Sequence, residues 1–318
     1  MIILLAFAIS FVLGIILLPL LIPVLKRMKF GQNIREEGPE SQKKKSGTPT
    51  MGGVVIVIAM IVGSIPFIYM DTNLIVLALT TLLFGVIGFL DDMLKIRRHQ
   101  SEGLTPPQKM GMQVLVTAGL LLYIGLATPE GTTMAVPFAG MVNFGGWFYV
   151  IGAIAILGTV NGANFTDGLD GLASSVTMVI AGFFAVAAVL LGYGIAPGAL
   201  AMAGALAAFL CFNCYPAKVF MGDTGSLALG GFTAAAAFIM KLPVFLIFAA
   251  FIYLAEIISV ILQVGYFKLT HGKRLFRMAP LHHHFELGGW KETKVVTIFT
   301  IITVIGCLIA LGGLQAVL

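Results

Sequence analysis

Again and again this chain runs apolar for long enough to cross a bilayer, and that repetition leaves few folds open. About 20 consecutive apolar residues span the hydrocarbon as a helix. Stretches such as 74–90 and 244–262 are apolar on every face. They lack the alternating polarity, over about ten residues, of a membrane β-barrel strand. The composition agrees: 59% of the residues are hydrophobic and 10% charged, against roughly 25% charged in soluble domains. The fold class expected is therefore an all-α integral membrane protein, one polytopic domain over 1–318. Ten transmembrane helices are read at about 3–24, 52–70, 74–90, 108–127, 147–161, 172–192, 198–214, 226–241, 243–265 and 295–316. The first stretch has no basic n-region or small-residue cleavage pattern, so it reads as a retained helix and not a signal peptide.

Charge sets the orientation. Loops 25–51, 91–107, 162–171, 215–225 and 266–294, with adjoining span ends, hold every one of the 19 Lys and Arg except Lys241. Basic residues mark the cytoplasmic side, so these five loops are expected inside and, with an even span count, both termini outside. Most acidic residues share that face; Asp71 and Glu130 fall outside and Glu256 within the ninth span. The net charge of +5 flanks spans and forms no single stripe, which argues against nucleic acid. Segment 128–146 reads as a small outer hairpin or loop. Cys211, Cys214 and Cys307 are expected as buried small hydrophobes: the CFNC spacing has no βαβ context, and two thiols make no zinc site.

Four clusters and a basic loop carry candidate chemistry. Asp91 and Asp92 end the third span in GVIGFLDDMLKIRR, where carboxylates at the hydrocarbon boundary are functional or paired; neutralisation by Lys95, Arg97 and Arg98 is the bland reading. Paired carboxylates suit Mg2+, which takes a few carboxylate oxygens together with substrate phosphates. In NGANFTDGLDGLA, Asn161, Asn164, Asp167 and Asp170 recur every third residue, one face of a helical turn; the acid pattern of an EF-hand is missing, and a helix cap is the alternative. PAKVFMGDTGS sets Asp223 between glycines at a helix start, where anions are favoured. APLHHHFELGGW brings His282, His283, His284 and Glu286; successive histidines diverge on a helix and cannot share one metal, whereas imidazoles suit phosphate oxygens. The loop ending KKKSGTPTMGG adds Lys43, Lys44, Lys45, Thr48 and Thr50, with a positive-inside anchor as the plain reading of Lys43 and Lys44. No Walker, dinucleotide or hydrolase-elbow motif occurs.

Taken in order, TPTMGG, FLDD, NFTDGLDGLA, FMGDTGS and PLHHHFE resemble the phospho-N-acetylmuramoyl-pentapeptide transferases, a branch of the polyprenyl-phosphate N-acetylhexosamine-1-phosphate transferase superfamily. The resemblance implies ten helices in a bacterial inner membrane with the active site facing the cytoplasm. It implies a Mg2+ cofactor, UDP-N-acetylmuramoyl-pentapeptide and undecaprenyl phosphate as substrates, and lipid I and UMP as products of peptidoglycan synthesis. By the same resemblance Asp91, Asp92 and Asp223 are the catalytic aspartates, with Asp223 the metal ligand. His282, His283 and His284 form the histidine motif. Lys45, Thr50, Asn161, Asn164, Asp167, Asp170, Asn213 and Phe220 line the nucleotide cleft, and a homodimer stays open. The rival is the sister group transferring N-acetylglucosamine-1-phosphate, which shares the aspartates but builds its late histidine motif differently. A secondary transporter would carry charges near the midplane, whereas here nearly all lie at one face.

The carrier phosphate is expected to attack the sugar-bearing phosphorus. A phosphate monoester with a second pKa near 6 is already mostly ionised at neutral pH, so Asp91 need only orient or deprotonate it, and direct attack is favoured over a phosphorylated aspartate.

Overall fold

The structure, a computed structural model, describes residues 2–28, 45, 47–98, 100, 102–128 and 131–317; Lys43, Lys44 and Glu130 lie outside this set. Its long helices are α1 (Leu4–Arg27), α2 (Gly53–Ser64, continued as a 3-10 turn Ile65–Met70), α3 (Asn73–Arg98), α4 (Pro106–Ala127), α5 (Trp147–Thr166), α6 (Leu172–Leu191), α7 (Ala196–Asn213), α8 (Gly222–Ile239), α9 (Phe251–Leu269) and, after a two-turn helix α10 (Leu281–Glu286), α11 (Glu292–Gly313). Among the described residues nine helices are long and apolar enough to cross a membrane. The protein is an integral membrane protein, all-helical among the described residues apart from one hairpin.

Helix α8 is the long helix outside those nine, and its composition explains why. Its first turn holds Gly222, Asp223 and Thr224, and its body is built from Ala and Gly. Every residue from Thr224 to Ile239 is buried, because α8 threads the middle of the bundle against α3, α5, α2 and α6. Lipid gives helices no hydrophobic reason to associate, so close backbone approach through small residues has to hold them. A Cβ on Gly53 of α2 would stand 2.2 Å from the Gly225 nitrogen, and one on Gly88 of α3 would stand 2.0 Å from the Asp223 carbonyl oxygen. The outer helices α1, α4 and α9 instead leave Leu, Ile and Val exposed along their length, an apolar belt suited to lipid.

Helix ends depart from the sequence expectation in ways that matter for the site. Helix α3 runs past Leu90 to Arg98, so Asp91 and Asp92 sit inside it and not at its end; no Gly or Pro intervenes, and Lys95 bridges Asp91 one turn back. Helix α5 continues through Asn161 and Asn164 to Thr166. The ninth apolar stretch is broken: a 3-10 turn Pro243–Phe245 and a one-turn helix Leu246–Ala249 precede α9, with Ala250 non-helical between them. Segment 128–146 contains the hairpin, strands β1 (Thr133–Val136) and β2 (Gly140–Asn143) paired antiparallel from Thr133↔Asn143 to Val136↔Gly140. The cysteine expectation is corrected in part. Cys307 is buried, but Cys211 and Cys214 are exposed, since they lie on the last turn and C-cap of α7, where the helix leaves the bundle.

Candidate active site

Asp91, Asp92 and Asp223, expected from separate motifs, meet: one oxygen from each lies within 4.8 Å of the others. The geometry then divides their tasks. Asp92 is buried and spends both oxygens on the first turn of α8. Its Oδ1 accepts from the Asp223 amide at 3.1 Å, and its Oδ2 accepts from the Thr224 amide at 2.9 Å and the Thr224 hydroxyl at 2.7 Å. It caps a helix from a neighbouring helix, satisfying donors that every helix start leaves orphaned. Gly222, at φ 71°, permits this approach, for a Cβ there would lie 2.6 Å from Asp92 Oδ2 and 2.8 Å from Thr50 Oγ1.

Asp91 is also buried. Its Oδ1 accepts from the Leu104 amide at 2.8 Å and its Oδ2 lies 2.6 Å from Lys95 Nζ. Asp223 is the open member, with its side chain 18% exposed. Its Oδ1 accepts from Asn164 Nδ2 at 2.9 Å, and its Oδ2 accepts from Lys95 and Lys109, each at 2.8 Å. Three carboxyl groups meet two ammonium groups here, a cluster of hard oxygen ligands. That donor set fits a small divalent cation such as Mg2+. Asp223 is the most exposed of the three, and the lysines that meet its Oδ2 sit on flexible stems, which leaves it open to a ligand role.

A second constellation adjoins the first. The loop before α2 pairs with the loop before α8: the Phe220 amide donates to Pro49 O at 2.8 Å, and the Gly52 and Gly53 amides donate to Phe220 O at 2.9 Å and Met221 O at 3.0 Å. Thr50 and Phe220 therefore lie side by side, both half-buried. Asp167 caps the end of α5, and Gly171, at φ 78°, starts α6, so DGLDG forms the tight turn between them. Asp170 in that turn takes Lys45 Nζ at 2.6 Å and the Ala217 amide at 2.9 Å. Lys45 also meets Glu292 of α11 at 2.5 Å. Burial works against the charged ammonium of Lys45, but the carboxylates of Asp170 and Glu292 outweigh it and hold its pKa above the usual lysine value. Burial, then the neighbouring charges of Asp223, Asp92 and Asp170, push the Asp167 carboxyl well above the usual range.

Two residues expected in the cleft are tied into the bundle by hydrogen bonds. Asn161 pairs with Gln113 of α4, donating to its Oε1 at 2.7 Å. Asn213 is buried; its Oδ1 accepts from the Gly171 amide and the Ser174 hydroxyl, and its Nδ2 donates to Val219 O at 2.9 Å. It ties α7 to the turns on either side.

The histidine motif forms α10, with its three rings in three environments. His282 and His283 are buried, while His284 is half-buried. His282 faces Glu256 of α9, Nδ1 to Oε1 at 3.1 Å. His283 Nδ1 lies 2.8 Å from Glu286 Oε2. Burial pushes the His283 imidazole below its ordinary pKa against the pull of Glu286, and the ring faces that carboxylate as a donor, since an ionised carboxylate oxygen only accepts. His284 Nδ1 accepts from the Arg277 amide at 3.1 Å.

Lys95, Lys109, Glu256 and Glu292 escaped the sequence reading as site residues. Lys95 had a readable signal, four residues after Asp91 on one helix. Lys109, in the first turn of α4, showed only as a basic span end. Glu292 meets Asp170 across 122 residues of chain, a contact that no local pattern announces.

Known proteins give the arrangement its kin. Residues 74–241 match Glycosyl transferase family 4, and residues 45–57 match signature 1 of phospho-N-acetylmuramoyl-pentapeptide-transferase. A protein of that name from Clostridium perfringens is 48% identical over 315 residues, covering 98% of this chain and 98% of its own. One from Clostridium novyi is 50% identical over 308 residues, covering 95% and 93%. One from Acetivibrio thermocellus is 44% identical over 314 residues, covering 97% and 94%. Identity at this level along both full lengths, with the signature on the Lys45 loop and the family match over the aspartate cluster, makes this chain a member of the phospho-N-acetylmuramoyl-pentapeptide-transferase family within glycosyl transferase family 4.

Proposed function

We propose that this protein transfers phospho-N-acetylmuramoyl-pentapeptide from its UDP-linked precursor to undecaprenyl phosphate, giving lipid I and UMP. The observation that carries the reading is the convergence of Asp91, Asp92 and Asp223, with Lys95 and Lys109, on one partly open cluster, in a chain whose full-length relatives bear that transferase name.

In the reaction, an oxygen of the carrier phosphate forms a bond to the phosphorus that bears the sugar, and the bond from that phosphorus to the UMP oxygen breaks. The protein's part is positioning and charge neutralisation, as in phosphoryl transfer generally. Lys95 and Lys109 bring two positive charges to where phosphate oxygens would gather. Asp91, held by the Leu104 amide, orients the carrier; no strong base is required of it, since the carrier phosphate is largely ionised already. Asp92 fixes the start of α8 and with it Asp223. Mg2+ held on Asp223 would neutralise the pyrophosphate and steady the leaving UMP. Lys45, Thr50, Asn164, Asp167, Asp170 and Phe220 lie on the side of the cluster assigned to the nucleotide. Asn161 and Asn213 brace that side from behind, and His283, beside Glu286, closes it.

Topologically, α8 counts as a tenth span. The chain then crosses a bacterial inner membrane ten times, with both termini outside and the cluster facing the cytoplasm, and the basic loops support this assignment. The test of substrate is a competition. Purified protein with undecaprenyl phosphate and Mg2+ is offered UDP-N-acetylmuramoyl-pentapeptide or UDP-N-acetylglucosamine, and UMP release is followed. Release only with the former is expected. Preferential use of the latter would move the protein to the N-acetylglucosamine-1-phosphate group.

A further inference from the structure

Glu256 is an ionisable group that the transfer reaction leaves without a task. It is fully buried on α9, a helix apolar enough to cross a membrane, where a carboxylate calls for a partner and a reason. Its partner is His282, 26 residues on. Glu256 Oε1 accepts from the His282 backbone amide at 3.2 Å and faces the ring Nδ1 at 3.1 Å. Oε1 already accepts from that amide and accepts the ring contact as well, so the proton of the ring contact belongs on Nδ1. Two bonds to one oxygen fix both the start of α10 and the plane of the imidazole.

The other end of the ring points away from the carboxylate. Nε2 is buried with no hydrogen-bond partner among the described residues, and it abuts Gly168. A Cβ at that position would lie 2.1 Å from Nε2 and 2.5 Å from Cε1. The ring thus fills the space that any other residue at 168 would need. Gly168 stands in the DGLDG turn between Asp167 and Asp170, whose carboxylates belong to the cleft. At 1% exposure, and with backbone against its free edge, His282 has no room for a phosphate oxygen.

We propose that Glu256 and His282 are positioning residues: the carboxylate fixes the imidazole, and the imidazole props Gly168 so that Asp167 and Asp170 are presented to the cleft. Removing the prop should loosen substrate binding and leave the reacting phosphates almost untouched. The kinetic arm rests on the transferase reading above; the spectroscopic arm does not.

The spectroscopic arm uses the full-length protein in detergent with 15N-histidine, and long-range 1H–15N correlation reports which ring nitrogen carries the proton. His282, assigned by its loss in His282→Asn, is expected protonated on Nδ1. In the kinetic arm, Glu256→Ala should raise KM for the UDP-sugar about tenfold while kcat stays within about threefold, the pattern of lost uniform binding. Glu256→Gln, whose side-chain oxygen still accepts from Nδ1, should recover most of that loss. A proton on Nε2 in the unmodified protein would overturn the proposal, and that measurement needs no variant of Glu256 to fold. So would a collapse of kcat with KM unchanged, which would put His282 at the reacting atoms. If neither UDP-sugar is turned over, the transferase reading fails while the spectrum still decides the prop.

Discussion

Asp92 and Asp223 are neighbours in one cluster, but their bonding partners predict different losses. Asp223 keeps one oxygen for Asn164 and offers the other to lysines, so its charge is what the site uses. Asp223→Asn should abolish UMP release at saturating Mg2+ while the protein still inserts and its melting temperature changes little; near-normal turnover at limiting Mg2+ would remove Asp223 from the metal site. Asp92 accepts three hydrogen bonds with two oxygens. Asp92→Asn retains one acceptor and aims an NH2 group at donors, leaving a buried mismatch worth about 1–3 kcal/mol. Thermal unfolding should therefore show Asp92→Asn clearly less stable than Asp223→Asn, and equal melting temperatures would mean that the cap does not matter. The sequence marked Asp91 and Asp92 alike, because a doublet says that charge is present but not which carboxylate faces a backbone amide.

Glycines set how closely the elements pack. Gly88→Ala places a methyl 2.0 Å from the Asp223 carbonyl oxygen, and backbone cannot step aside as a side-chain tip can. We expect the variant to lose most activity and to unfold at lower temperature, by an overpacking penalty of about 1–3 kcal/mol. Gly119 on α4 has nothing within 4 Å of a Cβ, so Gly119→Ala is the control and should behave like the unmodified protein. Comparable losses in both would point to glycine chemistry in general and not to the α3–α8 contact.

The short helix α10 carries a pH dependence whose sign can be worked out. The His283 pKa is lowered from 6.5, chiefly by burial. The folded protein thus binds that proton more weakly than the unfolded chain, and the stability is complete above 6.5 and lost as the pH falls through it. Burial pushes the Glu286 pKa up, but the bond from His283 outweighs it and lowers it from 4.5. Its contribution is present above 4.5 and lost as the pH falls further. The melting temperature should hold between about pH 8 and 7 and decline below about 6.5, with the upper part of the decline absent in His283→Asn. An unchanged decline in that variant would clear His283 of the effect. Runs of apolar residues located most long helices, and segment 128–146 was legible as a hairpin or loop. The break at Ala250 stayed hidden because the residues around it are apolar on both sides, and hydropathy does not see a change of backbone direction.

At the scale of the whole molecule the open quantity is the number of crossings, and it turns on α8. Counting apolar helices among the described residues gives nine, and an odd number would put the termini on opposite sides. Burial supports counting α8 as a span: surrounded by other helices and hidden from lipid, it has no need of the apolar surface that hydropathy measures, and Ala and Gly serve it better. Ten crossings place the β1–β2 hairpin outside and the loop between α9 and α10 inside. Both offer exposed positions for labelling, Phe138 in the hairpin turn and Lys273 in the loop. After the exposed Cys211 and Cys214 are replaced by Ser, Phe138→Cys should react with a membrane-impermeant maleimide added to intact spheroplasts. Lys273→Cys should react only once the membrane is opened, and a cytoplasm-only reporter fused at the C-terminus should stay silent. The two cysteines decide the orientation of the site. Without the α8 crossing, Lys273→Cys would be labelled from outside along with Phe138→Cys and the reporter would give a strong signal, the mark of an odd number of crossings and a C-terminus inside.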